Sequence, residues 1–355
     1  MINDKPPASR SGGDVPEDAS PAVRRLREER RRAADLGAAM TGTPFDDWVD
    51  RFGPDTDWPE NLSTAPLIVD IPIGSDPHDA LALAAVARTE PQLALVVTSA
   101  ETGANGTPGE RARFARWLLD ELGRPDIAVA AGKSAQPGPS GLVDRLVPAE
   151  VQPQPTDVVA AVTKVCATTA GPVRWVGLGC MTNLATVIGR FPELGHRFRV
   201  IQLETVSEHD LAAFVLAGPH PLPPPEIITA EVASDPAIVV DRDSELYRLL
   251  AMPQAPTWAA ALSALLDRWF SESTPGSRQS AALALSAALD LPFVLSADAE
   301  IAVDGTGRIR PISGEGTPAR VSQSAFHQGL MAWLIRSLDP DRPAVSPGTG
   351  GVRSQ

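Results

Sequence analysis

Between residues 66 and 206, short runs rich in Val, Ile and Leu alternate with segments of helical length, and this alternation constrains the fold more than any other feature. The runs are PLIVDI from Pro66, LALVVTSA from Leu93, DIAVAAG from Asp126, VRWVGLG from Val173 and FRVIQLETV from Phe198. Between them lie DALALAAVART, GERARFARWLLDELG, TDVVAAVTKVCATTAG and TNLATVIGRFPEL. A strand covered on both faces has no polar side, so it reads as a continuous apolar run, and helices connect such strands in βαβ units. The pattern predicts an α/β fold: an open, mostly parallel central sheet flanked by helices, with a Rossmann-like core. Local punctuation agrees. Gly123 follows one helix, Thr156 or Asp157 caps another, and Pro192 lies past the end of a third.

The second half is less regular. Residues 136–156 are a Pro/Gly-rich loop and GPHPLPPPE, 218–226, a rigid proline loop. DPAIVVDRDSELYRLLAM, TWAAALSALLDRWFSES and SAALALSAALDLPFV each predict a helix. AEIAVDGTGRIRP predicts a β-hairpin, and SQSAFHQGLMAWLIRSL a closing helix. The organisation expected is an N-terminal extension over 1–62, a main domain over 63–338 and a flexible tail over 339–355. In the extension, 1–20 has the composition of a disordered tail and 21–40 reads as a solvated helix. Trp48, Phe52 and Trp58 predict an arm that needs a surface to cover.

The chain has 355 residues, 43% of them hydrophobic, and a net charge of -13. That charge argues against nucleic acid and anionic membrane as partners, since both require a positive surface. Cys166 and Cys180 form no CxxC pattern, so neither a zinc site nor a disulfide is expected. No run of about 18 apolar residues occurs, and the polar N-terminus lacks a secretory apolar core. A cytoplasmic protein is the expectation.

In open α/β sheets ligands bind beyond the carboxyl ends of the strands, near a switch in strand order. The turn after the first run, DIPIGSDPHDALAL from Asp70, is such a place and holds Asp70, Asp76 and Asp79. This stretch resembles the D-T-D-I-G-[ST]-D-x-D-D-A-L-A-L turn of the inosine/uridine-preferring nucleoside hydrolases. GLGCMTNLA resembles their G-P-L-T-N-L-A segment through Gly179, Thr182, Asn183, Leu184 and Ala185. TAEVASDPAIVV and SAALALSAALDLPFV are similar, more weakly, to E-x-N-x-x-x-D-P-E-A-A and H-D-P-L-A-L-S-A-A-L. The four matches occur in the family's order over roughly residues 66–338.

The resemblance implies N-glycosidic cleavage at a calcium ion that holds the ribose diol and a water. Such an oxocarbenium-like transition state calls for nearby negative charge, an activated water and a protonated leaving base. It also implies which positions this chain has changed. The water-activating, calcium-binding Asp is Pro72, and the ribose-binding Asp is His78. The sugar-contacting Glu and Asn are Thr229 and Glu231, and the H-D-P triplet is Ser280, Ala281 and Ala282. Asp70, Asp79, Thr182 and Asn183 remain. Calcium takes roughly six to eight oxygens, several from carboxylates, so Asp79 and the Thr182 carbonyl alone make a poor cage. No cofactor is expected, with calcium as the exception if this correspondence with the family's positions is wrong.

Asp70, His78 and Asp79 are the candidate catalytic residues, and Asp76, Asn183, Thr229, Glu231 and Ser280 the candidate ligand contacts. Asp76 also reads as a helix cap, and Asp235 as a helix start. His209 reads as a surface histidine, and Ser280 lacks a nucleophile-elbow pattern. Three readings follow. The favoured one is a non-catalytic or regulatory binder of a nucleoside-like or sugar-like ligand. The second is a metal-independent enzyme acting on an N-glycosidic or related bond through Asp70, His78 and Asp79. The third is an ordinary calcium-dependent nucleoside hydrolase. By the same resemblance, a homodimer or tetramer is expected.

Overall fold

The computed structural model describes residues 64–99, 109–133, 142–143, 146–204, 212–218, 222–272, 275–304 and 308–345. The N-terminal extension and His209 lie outside the described residues. The strands are β1 (Leu67–Ile71), β2 (Leu93–Thr98), β3 (Ala128–Ala131), β4 (Val173–Gly177), β5 (Phe198–Leu203), β6 (Glu226–Ile228), β7 (Val239–Val240), β8 (Ser277–Arg278), β9 (Val294–Val303), β10 (Ile309–Ile312) and β11 (Thr317–Ala325). The helices are α1 (Pro77–Thr89), α2 (Glu110–Glu121), α3 (Val158–Ala167), α4 (Thr182–Arg190), α5 (Ala212–Ala217), α6 (Glu245–Leu250), α7 (Thr257–Glu272), α8 (Ser280–Ala288) and α9 (His327–Ser337).

The main sheet runs β10-β9-β11-β6-β5-β4-β1-β2-β3. From β6 to β3 every pairing is parallel, as expected. β11 continues it in parallel with β6, and β9 and β10 add an antiparallel edge. The chain lays down β1, β2 and β3 in one direction, then returns to the other flank of β1 for β4. The order therefore reverses between β1 and β4, and beyond the carboxyl ends of strands at such a switch point is where open α/β sheets bind ligands.

Period-two alternation divides β1 between two cores: Leu67, Val69 and Ile71 pack in one and Ile68 in the other. The first core joins the sheet to α1, α2, α7, α8 and α9; the second joins it to α3 and α4. α1 is buried on nearly every side, and its Ala-rich sequence lets neighbours approach closely. Among the described residues no helix is long and apolar enough to cross a membrane.

Three segments depart from the sequence reading. Glu226–Ile228 is a strand, so β6 begins inside the expected proline loop. The segment SQSAF is not helical: it closes β11, whose register shifts between Ser322 and Ser324, and α9 begins only at His327. That shift masks the alternation that would have announced a strand. The third is the segment after Asp339, expected to fray, which is held as far as Val345. Arg88 donates to the carbonyls of Ser337, Asp339 and Arg342 and stacks 4.7 Å over Trp258. The Val345 amide returns a bond to the Arg88 carbonyl at 2.9 Å.

Candidate functional site

The turn between β1 and α1 lies at the carboxyl end of β1, beside this switch point. Gly74 has φ +100, and a Cβ there would lie 3.0 Å from Val143, so both backbone and space require glycine. Asp76 caps α1, accepting from the His78 amide at 3.0 Å, and Pro77 opens the helix. The cap reading of Asp76 holds, with an addition: its Oδ1 also accepts the Ser277 hydroxyl at 2.7 Å. That bond ties the start of α1 to the strand before α8.

His78 lies at the centre of this junction. Its Nε2 is 3.1 Å from Asp79 Oδ1 and its Nδ1 is 2.8 Å from the Arg278 carbonyl. The Ser280 hydroxyl stands 3.3 Å from Nδ1. Both ring nitrogens thus face acceptors, which favours the imidazolium. Burial by itself lowers a histidine, but the Asp79 carboxylate outweighs it and Asp76 adds to the effect, so His78 rises from 6.5 to about 9. Burial pushes the Asp79 carboxyl up, while the His78 and Arg111 charges pull it back. Asp79 is 1% exposed and His78 18%, so the pair is reached from solvent through the histidine.

Asp70 belongs to a different cluster. By strand alternation it shares the Ile68 face, where Asn183 of α4 donates to it at 3.0 Å. Asn183 Oδ1 accepts the Lys133 amide at 3.0 Å, so this side chain ties the ends of β1 and β3 to α4. The Thr182 carbonyl accepts the Thr186 hydroxyl at 2.8 Å, and the Thr182 hydroxyl donates to Cys180 Sγ at 3.4 Å. Cys166 is buried and Cys180 half-buried, both as free thiols.

The remaining candidates are spread along the sheet. The Thr229 amide and hydroxyl lie 2.9 and 3.1 Å from Ser322 Oγ, joining β6 to β11. Glu231 is exposed at the start of a short helical turn, Val232–Ser234. Asp235 accepts from the Ala237 amide at 2.8 Å, as a helix-start residue does. The structure therefore brings Asp76, His78, Asp79 and Ser280 together and places Asp70 with Asn183.

Several buried polar residues at or near the strand ends were not singled out from sequence. Arg111 is 0% exposed, and its Nη1 donates to the Pro72 carbonyl (2.6 Å), the Ile73 carbonyl (3.1 Å) and the Ser75 hydroxyl (3.0 Å). The signal was present: Arg111 falls on the stripe of Phe114, Ala115 and Leu118, where a helix otherwise places apolar residues. Gln279, 0% exposed, donates to the Ser277 carbonyl at 3.0 Å. Glu204, at the carboxyl end of β5, accepts the Ala230 amide at 2.8 Å. An acid directly after a buried strand was its only signal. Among the described residues no three of His, Cys, Asp and Glu converge in a metal-binding group.

Residues 67–203 match the family described as inosine-uridine preferring nucleoside hydrolase. The pyrimidine-specific ribonucleoside hydrolase RihA of Enterobacter sp. (strain 638) is 34% identical over 145 residues, which is 37% of this chain and 44% of that protein. The chain thus spans less than half the length of the curated relatives it matches. The solved purine-preferring ribonucleoside hydrolase from Gardnerella vaginalis superposes with a TM-score of 0.61 at 16% identity, covering 77% of this chain and 98% of that one. The type III effector protein XopQ, solved with adenosine diphosphate ribose, gives 0.56 at 15% identity over 84% and 99%. At such identities these structures establish the shared fold alone. The resemblance to the inosine-uridine preferring nucleoside hydrolases thus lies in β1 to β5, and the solved structures extend the shared fold over most of the chain.

Proposed function

We propose that this protein binds a nucleoside-like or sugar-like ligand at the switch point between β1 and β4 without a calcium ion and without standard nucleoside hydrolysis. One observation carries the reading: the Asp79 carboxylate is already matched by protein cations, the His78 imidazolium at 3.1 Å and the field of Arg111. The donor set does not fit calcium. Pro72 and Ala281 bring no side-chain oxygen, Arg111 occupies the Pro72 carbonyl, and a divalent ion beside His78 and Arg111 would meet like charge. The Asp79 Oδ2 and Gln279 Oε1 acceptors, buried without hydrogen-bond partners, suit a ligand that donates hydroxyls. A ribosyl group has that chemistry, and the adenosine diphosphate ribose bound to XopQ is one molecule that contains it. The free thiols and the charge of -13 fit a cytoplasmic protein without nucleic-acid or membrane partners.

A second reading rests on His78 itself. A protonated histidine beside a carboxylate and the Ser280 hydroxyl is a proton donor, which suits metal-independent cleavage at a glycosidic carbon. Titration calorimetry with calcium, followed by a nucleoside panel assayed in chelator, separates the two. The binding reading expects no calcium isotherm below millimolar concentration, saturable binding of ribosyl compounds and no turnover. Turnover that survives chelation and disappears in His78→Ala transfers the assignment to the second reading. A micromolar calcium site sinks both.

A further inference from the structure

We propose that Arg111 is the resident cation of the turn between β1 and α1, filling an oxygen cradle and thereby positioning His78 and Asp79. The cradle is formed by the Pro72 and Ile73 carbonyls and the Ser75 hydroxyl, all within 3.1 Å of the single atom Arg111 Nη1. Three oxygens around one centre, two of them backbone carbonyls, form the kind of site that cations enter. Here the positive centre is tethered to the first turn of α2. Arg111 is 0% exposed, and guanidinium remains charged when buried, so the occupant neither titrates nor dissociates. Carbonyls turned inward and left unmatched would drive this turn open. The same charge also reaches Asp79, as a smaller influence than burial and His78, so the residue that shapes the turn also contributes to the field at the His78–Asp79 pair.

This inference rests on the metal-free reading of the pocket, and its test keeps the two apart. Arg111→Ala in the full chain removes the cation and leaves a guanidinium-shaped space. Its melting temperature should fall by about 5–10 °C. Guanidinium at low millimolar concentration should then restore much of that loss, while urea at the same concentration does not. The same addition should leave the wild type unchanged or slightly less stable. A side chain that only filled space would give the loss without the restoration being selective for the cation. If Arg111→Ala yields no soluble protein, Arg111→Gln, which retains one amide donor, carries the same comparison. A variant that melts with the wild type, or one that guanidinium does not restore, overturns the assignment. Calcium must leave the wild type unmoved; a calcium-dependent rise there overturns the metal-free reading, whereas an indifferent wild type with an unrestored variant overturns the role of Arg111 alone.

Discussion

Raising the pH from 6.5 past 9 should weaken the folded protein through a single side chain. His78 binds its proton more tightly in the fold than in an unfolded chain, its pKa moving from 6.5 to about 9. A group with a raised pKa contributes its full stabilisation below the unfolded value and loses it as pH passes the folded one. At about 1.4 kcal/mol for each tenfold change in proton affinity, the contribution comes to about 3 kcal/mol. It is fully present below pH 6.5, declines through 8 and is lost above 9. At 18% side-chain exposure, solvent does not greatly screen the pair. For a domain of this size the change corresponds to a fall of about 6–12 °C in melting temperature across the window. Thermal unfolding of wild type and His78→Gln, measured in parallel over that range, isolates the effect because other titrating groups cancel. The wild type should lose ground steadily against the variant. With only five histidines in the chain, proton NMR also follows His78 directly by its absence from the variant. A His78 midpoint near 6.5, or two melting curves that track each other, would refute the charged pair.

Two further outcomes test other joints. Asn183→Leu withdraws a donor from Asp70, a carboxylate only 1% exposed, and strands the Lys133 amide; urea unfolding should register a loss of about 2–4 kcal/mol, and a change under about 0.5 would contradict the joint. Arg88→Met deprives the Ser337, Asp339 and Arg342 carbonyls of their common donor, so limited proteolysis followed by mass spectrometry should show faster cleavage within 339–345; equal cleavage rates would show that the segment is held elsewhere.

The parts of the fold visible in sequence are those fixed by local pattern. β1 through β5 announced themselves because strands covered on both faces have only apolar choices. The Asp76 cap was legible because capping is decided within three residues. β6 and β11 were not, for opposite reasons. Three residues behind a proline run are too few for a period, and in β11 the irregularity near Ser322 breaks the alternation of Ala319 and Val321. The site was half legible. His78 and Asp79 are neighbours in sequence as in space, but Ser280 reaches His78 across 202 residues, and only the packing of α8 beside α1 makes that contact. Arg111 was concealed by its company, a charged residue on an apolar stripe whose oxygens come from another segment's backbone.

The Ser277–Asp76 bond has a consequence for how the protein is made. It joins residues 201 positions apart, and the stretch that carries the family signature, 67–203, ends well before Ser277. A nascent chain that has emerged only as far as β5 already contains its diagnostic motif, yet the start of α1 still lacks its counterpart. Closing so distant a contact is slow relative to local pairing. The cap of α1 is therefore completed late in synthesis, and a fragment trimmed to 67–203 would carry Asp76 without its Ser277 partner.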